Sequence, residues 1–120
     1  MYINKLYIDG ECIETGKTIE VINPATKNVI GNIPNGGEIE AMLAVDAAYK
    51  AIKSWSKKTA DERSKLLLAW HNLIKENLDV LAEIMTTEQG KPSEEAKAEI
   101  EYANSYINWF AEEGKRVYGE

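Results

Sequence analysis

Residues 85–92 read MTTEQGKP, a glycine-punctuated stretch between two segments with helical periodicity. A phosphate-binding loop of the Walker type places a glycine five positions before its Gly-Lys pair and a serine or threonine after the lysine, to hold magnesium. Here those two positions are Met85 and Pro92. Proline has no backbone donor to aim at phosphate, whereas a glycine just past a helix and a proline opening the next are ordinary helix punctuation. Gly90-Lys91 is therefore read as the place where one helix stops and another begins. No GxGxxG motif follows an expected strand either, so the sequence carries no local dinucleotide fingerprint.

On both sides of this junction the pattern is helical as far back as residue 35. Asn35 and Glu38 have capping-box spacing, and Met42, Val45, Tyr49 and Ile52 form one stripe after them. Lys57-Lys58 closes that helix, and Thr59 with Glu62 repeats the capping arrangement. An apolar face then runs through Leu67, Trp70, Leu73 or Ile74, Leu78, Leu81 and Met85, with a break expected at Asn77 before Asp79. The last helix, SEEAKAEIEYANSYINWFAEEGKRVYG, sets Ile100, Ala103, Ile107, Phe110 and Val117 on one broad side, with Tyr102, Tyr106 and Trp109 nearby. Its acids come first and Lys115-Arg116 last, which suits the helix dipole.

Before residue 35 the period is that of strands. KLYIDGECIE puts Asp9-Gly10 between two short runs, the sequence form of a tight hairpin, because both turn positions need positive φ. TIEVIN and NVIGNI flank NPATK, whose proline suits a turn. Residues 3–33 thus read as two hairpins. The fold expected of the chain is α+β, two N-terminal β-hairpins over 1–34 followed by three or four α-helices over 35–120.

Composition bounds the function. The 120 residues are 44% hydrophobic and 28% charged, as in one soluble globular domain able to bury about two-thirds of its unfolded surface. The net charge is −6 and the lysines are scattered, which argues against nucleic acid or an anionic membrane as partner. The sequence shows neither a signal peptide nor a membrane span, so a cytoplasmic location is expected. Cys12 stands alone, without a second thiol for a disulfide or a zinc pair and without a histidine near it in sequence. His71 is the only histidine and has no partner at ligand spacing, so a partly exposed helical residue is the expectation over a metal ligand. Glu94, Glu95, Glu99 and Glu101 sit on polar helix faces as solvated groups rather than as a general acid/base pair. From the residues alone, the chain offers a scaffold without a catalytic constellation.

Several segments, taken in order, resemble the NAD(P)-dependent aldehyde dehydrogenases across essentially all 120 residues. They are YIDGE, VINPAT followed by VIGNIP, AAYKAIKSWSKKTADERSKLL, TTEQGKP and INWFAEEGKRVYGE. The chain looks like the amino-terminal quarter of that family, and its final block is most similar to the succinate-semialdehyde branch. The resemblance implies that it forms part of an α/β Rossmann-like NAD-binding domain, with the catalytic and oligomerisation domains absent. In the family a cysteine thiolate attacks the aldehyde, hydride passes to the nicotinamide, and a glutamate-activated water hydrolyses the thioester. Those groups, and the parts that hold NAD or NADP, match positions downstream of residue 120. No catalytic or cofactor-binding residue is therefore assigned here, and the chain alone is expected to be inactive. Cys12 falls where relatives often have tryptophan.

Two smaller roles carry over from the resemblance. Glu88, with the main-chain carbonyls of Val21 and Ile22, matches the ligands of a structural monovalent cation, a set of hard oxygens whose remaining member lies outside this chain. Weak or no binding is expected of the chain alone. Ala98 and Tyr102, one turn apart, match positions lining the aldehyde entry tunnel. The complete enzyme would act on an aldehyde as a homo-oligomer. The isolated chain, its helices uncovered by the parent sheet, is expected to self-associate, exchange segments or be marginally stable. The alternatives are a stand-alone helical interaction module and a compact enzyme using Cys12 or the acids.

Overall fold

The computed structural model describes residues 5–117. Residues 3–4 of the expected hairpins, and residues 118–120 of the final motif, lie outside that range. The chain divides into two compact units, Met1–Lys57 and Lys58–Glu120.

The first unit begins with an antiparallel hairpin. β1 (Leu6–Ile8) pairs with β2 (Glu11–Ile13) through Leu6 with Ile13, Tyr7 with Cys12, and Ile8 with Glu11. Asp9 (φ 56°) and Gly10 (φ 83°) both adopt the left-handed backbone that a two-residue turn demands. β3 (Thr18–Ile22) and β4 (Val29–Pro34) form a second antiparallel pair, with an irregular step between Val21 and Ile22. Its turn is held by Asn23, whose side-chain oxygen accepts from the amides of Ala25 (2.9 Å) and Thr26 (3.1 Å). Both hairpins stand where the sequence placed them.

α1 (Glu38–Trp55) starts later than expected. The Asn35 amide donates to the Lys17 carbonyl at 2.9 Å and so prolongs the β3–β4 pairing. The cap falls on Gly37, whose amide donates to Glu40 at 2.7 Å, and the capping carboxylate is Glu40 rather than Glu38. The expected stripe exists but is not covered. Met42, Val45, Tyr49 and Ile52 are all more than half exposed, and α1 buries no residue.

The second unit is helical: α2 (Ala60–Glu76), α3 (Leu78–Gln89), α4 (Ser93–Glu113) and a 3₁₀ turn over Gly114–Arg116. α2 opens on the expected Thr59–Glu62 box. The Glu62 amide donates to the Thr59 hydroxyl (3.2 Å), while the Glu62 carboxylate accepts from the Thr59 amide (2.7 Å) and hydroxyl (2.9 Å). Asn77 makes the expected break, its side chain donating to the Leu73 carbonyl at 2.8 Å. Gly90 ends α3 at φ 75°, its amide returning to the Thr86 carbonyl at 2.8 Å.

α4 packs against both α2 and α3. Its buried face is Ala96, Ile100, Asn104 and Ala111; Ile100 meets Ala82 of α3, with Ile74, Leu78, Leu81 and Met85 around them. Asp79 of α3 and Lys97 of α4 add an ion pair at 2.7 Å. Three residues assigned from sequence to this side, Ala103, Phe110 and Val117, are exposed instead. The buried stripe runs through smaller and more polar side chains. No helix among the described residues is long and apolar enough to cross a membrane.

Candidate functional site

Positions two residues apart on a helix point about 200° apart. Ala98, Tyr102 and Tyr106 therefore project from α4 nearly opposite the core stripe of Ala96, Ile100 and Asn104. Tyr102 (65%) and Trp109 (64%) are the most exposed of the aromatics there. An open, mainly apolar concavity of about 520 Å³ is lined by Tyr102, Ser105, Tyr106, Asn108, Trp109 and Phe110. At one end of it the Tyr102 and Tyr106 hydroxyls are hydrogen-bonded at 2.7 Å. Their rings meet edge to face, with centroids 5.2 Å apart and planes at 86°. The bond to Tyr102, and to a smaller degree local desolvation, holds the Tyr106 phenol above its usual range. Ser105 takes no part, since its hydroxyl donates to the Tyr102 carbonyl at 2.6 Å.

The metal candidates lie in different units. Val21 and Ile22 are in β3 of the first, at the irregular step in its pairing, where the regular ladder is disturbed. Glu88 is half-buried near the end of α3 in the second. A carboxylate and two carbonyls are the right chemistry for a hard cation. Among the described residues no three His, Cys, Asp or Glu side chains cluster as a metal site.

Two residues weighed as chemistry-bearing prove otherwise engaged or isolated. His71 is half-buried in α2, and its Nδ1 lies 3.3 Å from the Asn104 carbonyl while the Asn104 amide group donates to the His71 carbonyl at 3.1 Å. This reciprocal pair joins α2 to α4, and nothing local in the sequence announced it. Cys12 is exposed in β2, opposite Tyr7.

The two places among the described residues where a phosphate cradle could be sought are taken up by the chain's own groups. The Gly90 amide is committed to Thr86, and the Lys91 ammonium is paired with Glu99. The one strand-to-helix passage among the described residues, β4 through Gly36-Gly37 into α1, ends at a helix whose first turn carries Glu38 and Glu40, the latter already on the Gly37 amide. A phosphate would meet like charge at that helix start.

The sequence profile of the aldehyde dehydrogenase family matches residues 12–120. This chain belongs to the aldehyde dehydrogenase family. It is 52% identical over 122 aligned residues to the glutarate-semialdehyde dehydrogenase of Pseudomonas putida, covering 100% of the chain and 25% of that enzyme. To the succinate semialdehyde dehydrogenase of Acinetobacter baylyi it is 59% identical over 100 residues, 83% of the chain and 21% of that enzyme. The crystal structure of an NADP-dependent enzyme from Escherichia coli superposes with a TM-score of 0.95 at 48% identity, covering 98% of this chain and 25% of that one. The chain thus corresponds to the amino-terminal part of aldehyde dehydrogenases of the succinate-semialdehyde type, and spans about a quarter of the length of the curated relatives it matches.

Proposed function

We propose that this chain is the amino-terminal portion of an NAD(P)-dependent aldehyde dehydrogenase that oxidises a dicarboxylate semialdehyde, such as succinate or glutarate semialdehyde, to the acid. The observation that carries this reading is identity of 52% sustained along the whole chain to a glutarate-semialdehyde dehydrogenase. Within that enzyme the residues of this chain build and shape rather than react. Ala98 and Tyr102 line the approach of the aldehyde, and the bulk of Tyr102 limits what can pass. In the complete enzyme the carbonyls of Val21 and Ile22, and separately the carboxylate of Glu88, are the candidate oxygen ligands this chain offers to a structural monovalent cation. NAD or NADP is held by residues outside it, and the chain alone has no activity.

The uncovered apolar surface supports this reading. It includes the stripe of α1 and, in the second unit, Trp70 and Leu73. In the complete enzyme other parts of the protein cover these faces, and the chain in isolation self-associates through them.

The deciding experiment is the intact mass of the protein from its source cells, followed by NAD(P)⁺ reduction with succinate and glutarate semialdehyde. A mass several times 13.5 kDa together with turnover of either aldehyde is expected. A native mass of 13.5 kDa would refute the reading and direct attention to a partner for the exposed helix faces.

A further inference from the structure

The two phenols on α4 do more together than either could alone. In the Tyr102–Tyr106 bond one hydroxyl donates and the other accepts, so one proton is used and one stays free. The accepting hydroxyl is polarised by the bond it receives, which strengthens the donor it retains. Trp109 and Phe110 make most of the remaining surface apolar, and the Ser105 hydroxyl is turned back onto the main chain. The concavity therefore holds a directed phenolic donor in largely aromatic surroundings. An exposed tyrosine ordinarily samples several rotamers; here a hydroxyl bond and an edge-to-face ring contact, both from the residue one turn later, limit that freedom.

We infer that Tyr106 is a positioning residue for Tyr102, holding its phenol so that the pair directs one O–H at an aldehyde whose far end carries a hydrogen-bond acceptor, such as a carboxylate. The inference rests on the reading that Tyr102 lines the path of the aldehyde. Its consequence is discrimination, since a site that hydrogen-bonds one substrate group disfavours the analogue lacking it. An ordinary phenol, titrating at about 10, is already protonated at working pH, and the hydrogen bond from its partner moves Tyr106 further from ionising, so the bonded pair persists.

The test is steady-state kinetics of the complete dehydrogenase with succinate semialdehyde and with butanal, which has the same chain length and no carboxylate. Tyr102→Phe, Tyr106→Phe and the double variant are compared with the parent. Loss of one such bond corresponds to about a 3- to 10-fold change. Tyr106→Phe is expected to raise KM for the semialdehyde by about that factor, much more than for butanal, with the double variant no worse than the worse single one. If Tyr102→Phe lowers the preference for the semialdehyde and Tyr106→Phe does not, the positioning role is wrong while the path reading stands. Equal loss of kcat for both aldehydes in Tyr106→Phe would show a merely structural role and overturn the inference. If neither Tyr102→Phe nor Tyr102→Ala alters the kinetics of either aldehyde, the path reading fails and the inference falls with it.

Discussion

Ile100→Ala should cost the helical unit most of its stability. Ile100 is 9% exposed and is the one large aliphatic side chain among the buried apolar residues described, the others being Ala82, Ala96 and Ala111. It fills the space that Ile74, Leu78, Leu81 and Met85 surround. Truncating a buried isoleucine to alanine costs about 2–5 kcal/mol, and the low end applies where neighbours can move into the gap. An open groove bordered by Ile74, Leu81, Met85 and Ile107 lies alongside, so some collapse is available, and about 2–3 kcal/mol is the expected cost. A core in a unit of this size rarely supplies more than about 3–5 kcal/mol. Urea unfolding of the 120-residue chain at low concentration, followed by far-ultraviolet circular dichroism, should show Ile100→Val losing about 1 kcal/mol and Ile100→Ala losing nearly the whole helical transition. Met42→Ala, on the uncovered stripe of α1, should fall within about 0.5 kcal/mol of the parent. An Ile100→Ala loss below about 1 kcal/mol, or one no larger than that of Met42→Ala, would refute the placement of the core.

The cap of α2 makes the chain acid-sensitive. The Thr59 amide and hydroxyl hold the Glu62 carboxyl below its ordinary value near 4.5, so the stabilisation is complete above that pH and is lost as pH falls through the lowered value. Helicity should decline over that acid range in the parent, and Glu62→Gln should flatten the decline; an unchanged profile would exclude the cap as its source. Thr59→Ala should cost about 1 kcal/mol in urea, and no measurable cost would count against the box. Gly90→Ala forces a Cβ into φ 75° and should cost about 1–2 kcal/mol, with Gly90→Asn milder; equal, negligible effects would mean that α3 does not end in a left-handed residue. Asp79→Asn, which breaks an exposed pair with Lys97, should cost under about 1 kcal/mol and less still in high salt, and a larger, salt-independent loss would contradict that account.

What the sequence disclosed and what it concealed follow from the range of the forces involved. Asp9-Gly10, Thr59 with Glu62, Asn77 and Gly90 act through bonds spanning a few residues, so composition and spacing reveal them directly. The α1 cap shows where locality stops. Capping spacing was the right rule, but two glycines and a β-ladder bond from Asn35 to Lys17, 18 residues back, moved its frame from Asn35–Glu38 to Gly37–Glu40. The His71–Asn104 pair spans 33 residues and had no local signature at all.

Hydrophobic periodicity reports which residues share a face; it does not report whether anything covers that face. On α1 the stripe was identified correctly and is bare. On α4 two stripes compete, and periodicity alone selected the wrong one in part: the stripe through Ala103 and Phe110 is exposed, while the helix buries Ala96, Asn104 and Ala111 beside Ile100 and exposes its aromatics. Close helix packing favours small side chains because they let backbones approach, and a large apolar residue left outside such a contact needs a partner from elsewhere. The same division explains why a role for Tyr102 is proposed from resemblance and not from chemistry. A catalytic group declares itself by reactive neighbours, whereas a residue that shapes a path does so only relative to the group it guides, and in the proposed enzyme that group lies beyond this quarter of the protein. The Tyr102–Tyr106 bond lies between, for its four-residue spacing is plain in the sequence, but whether two tyrosines one turn apart join hydroxyls or splay apart is decided by rotamers that only the structure specifies.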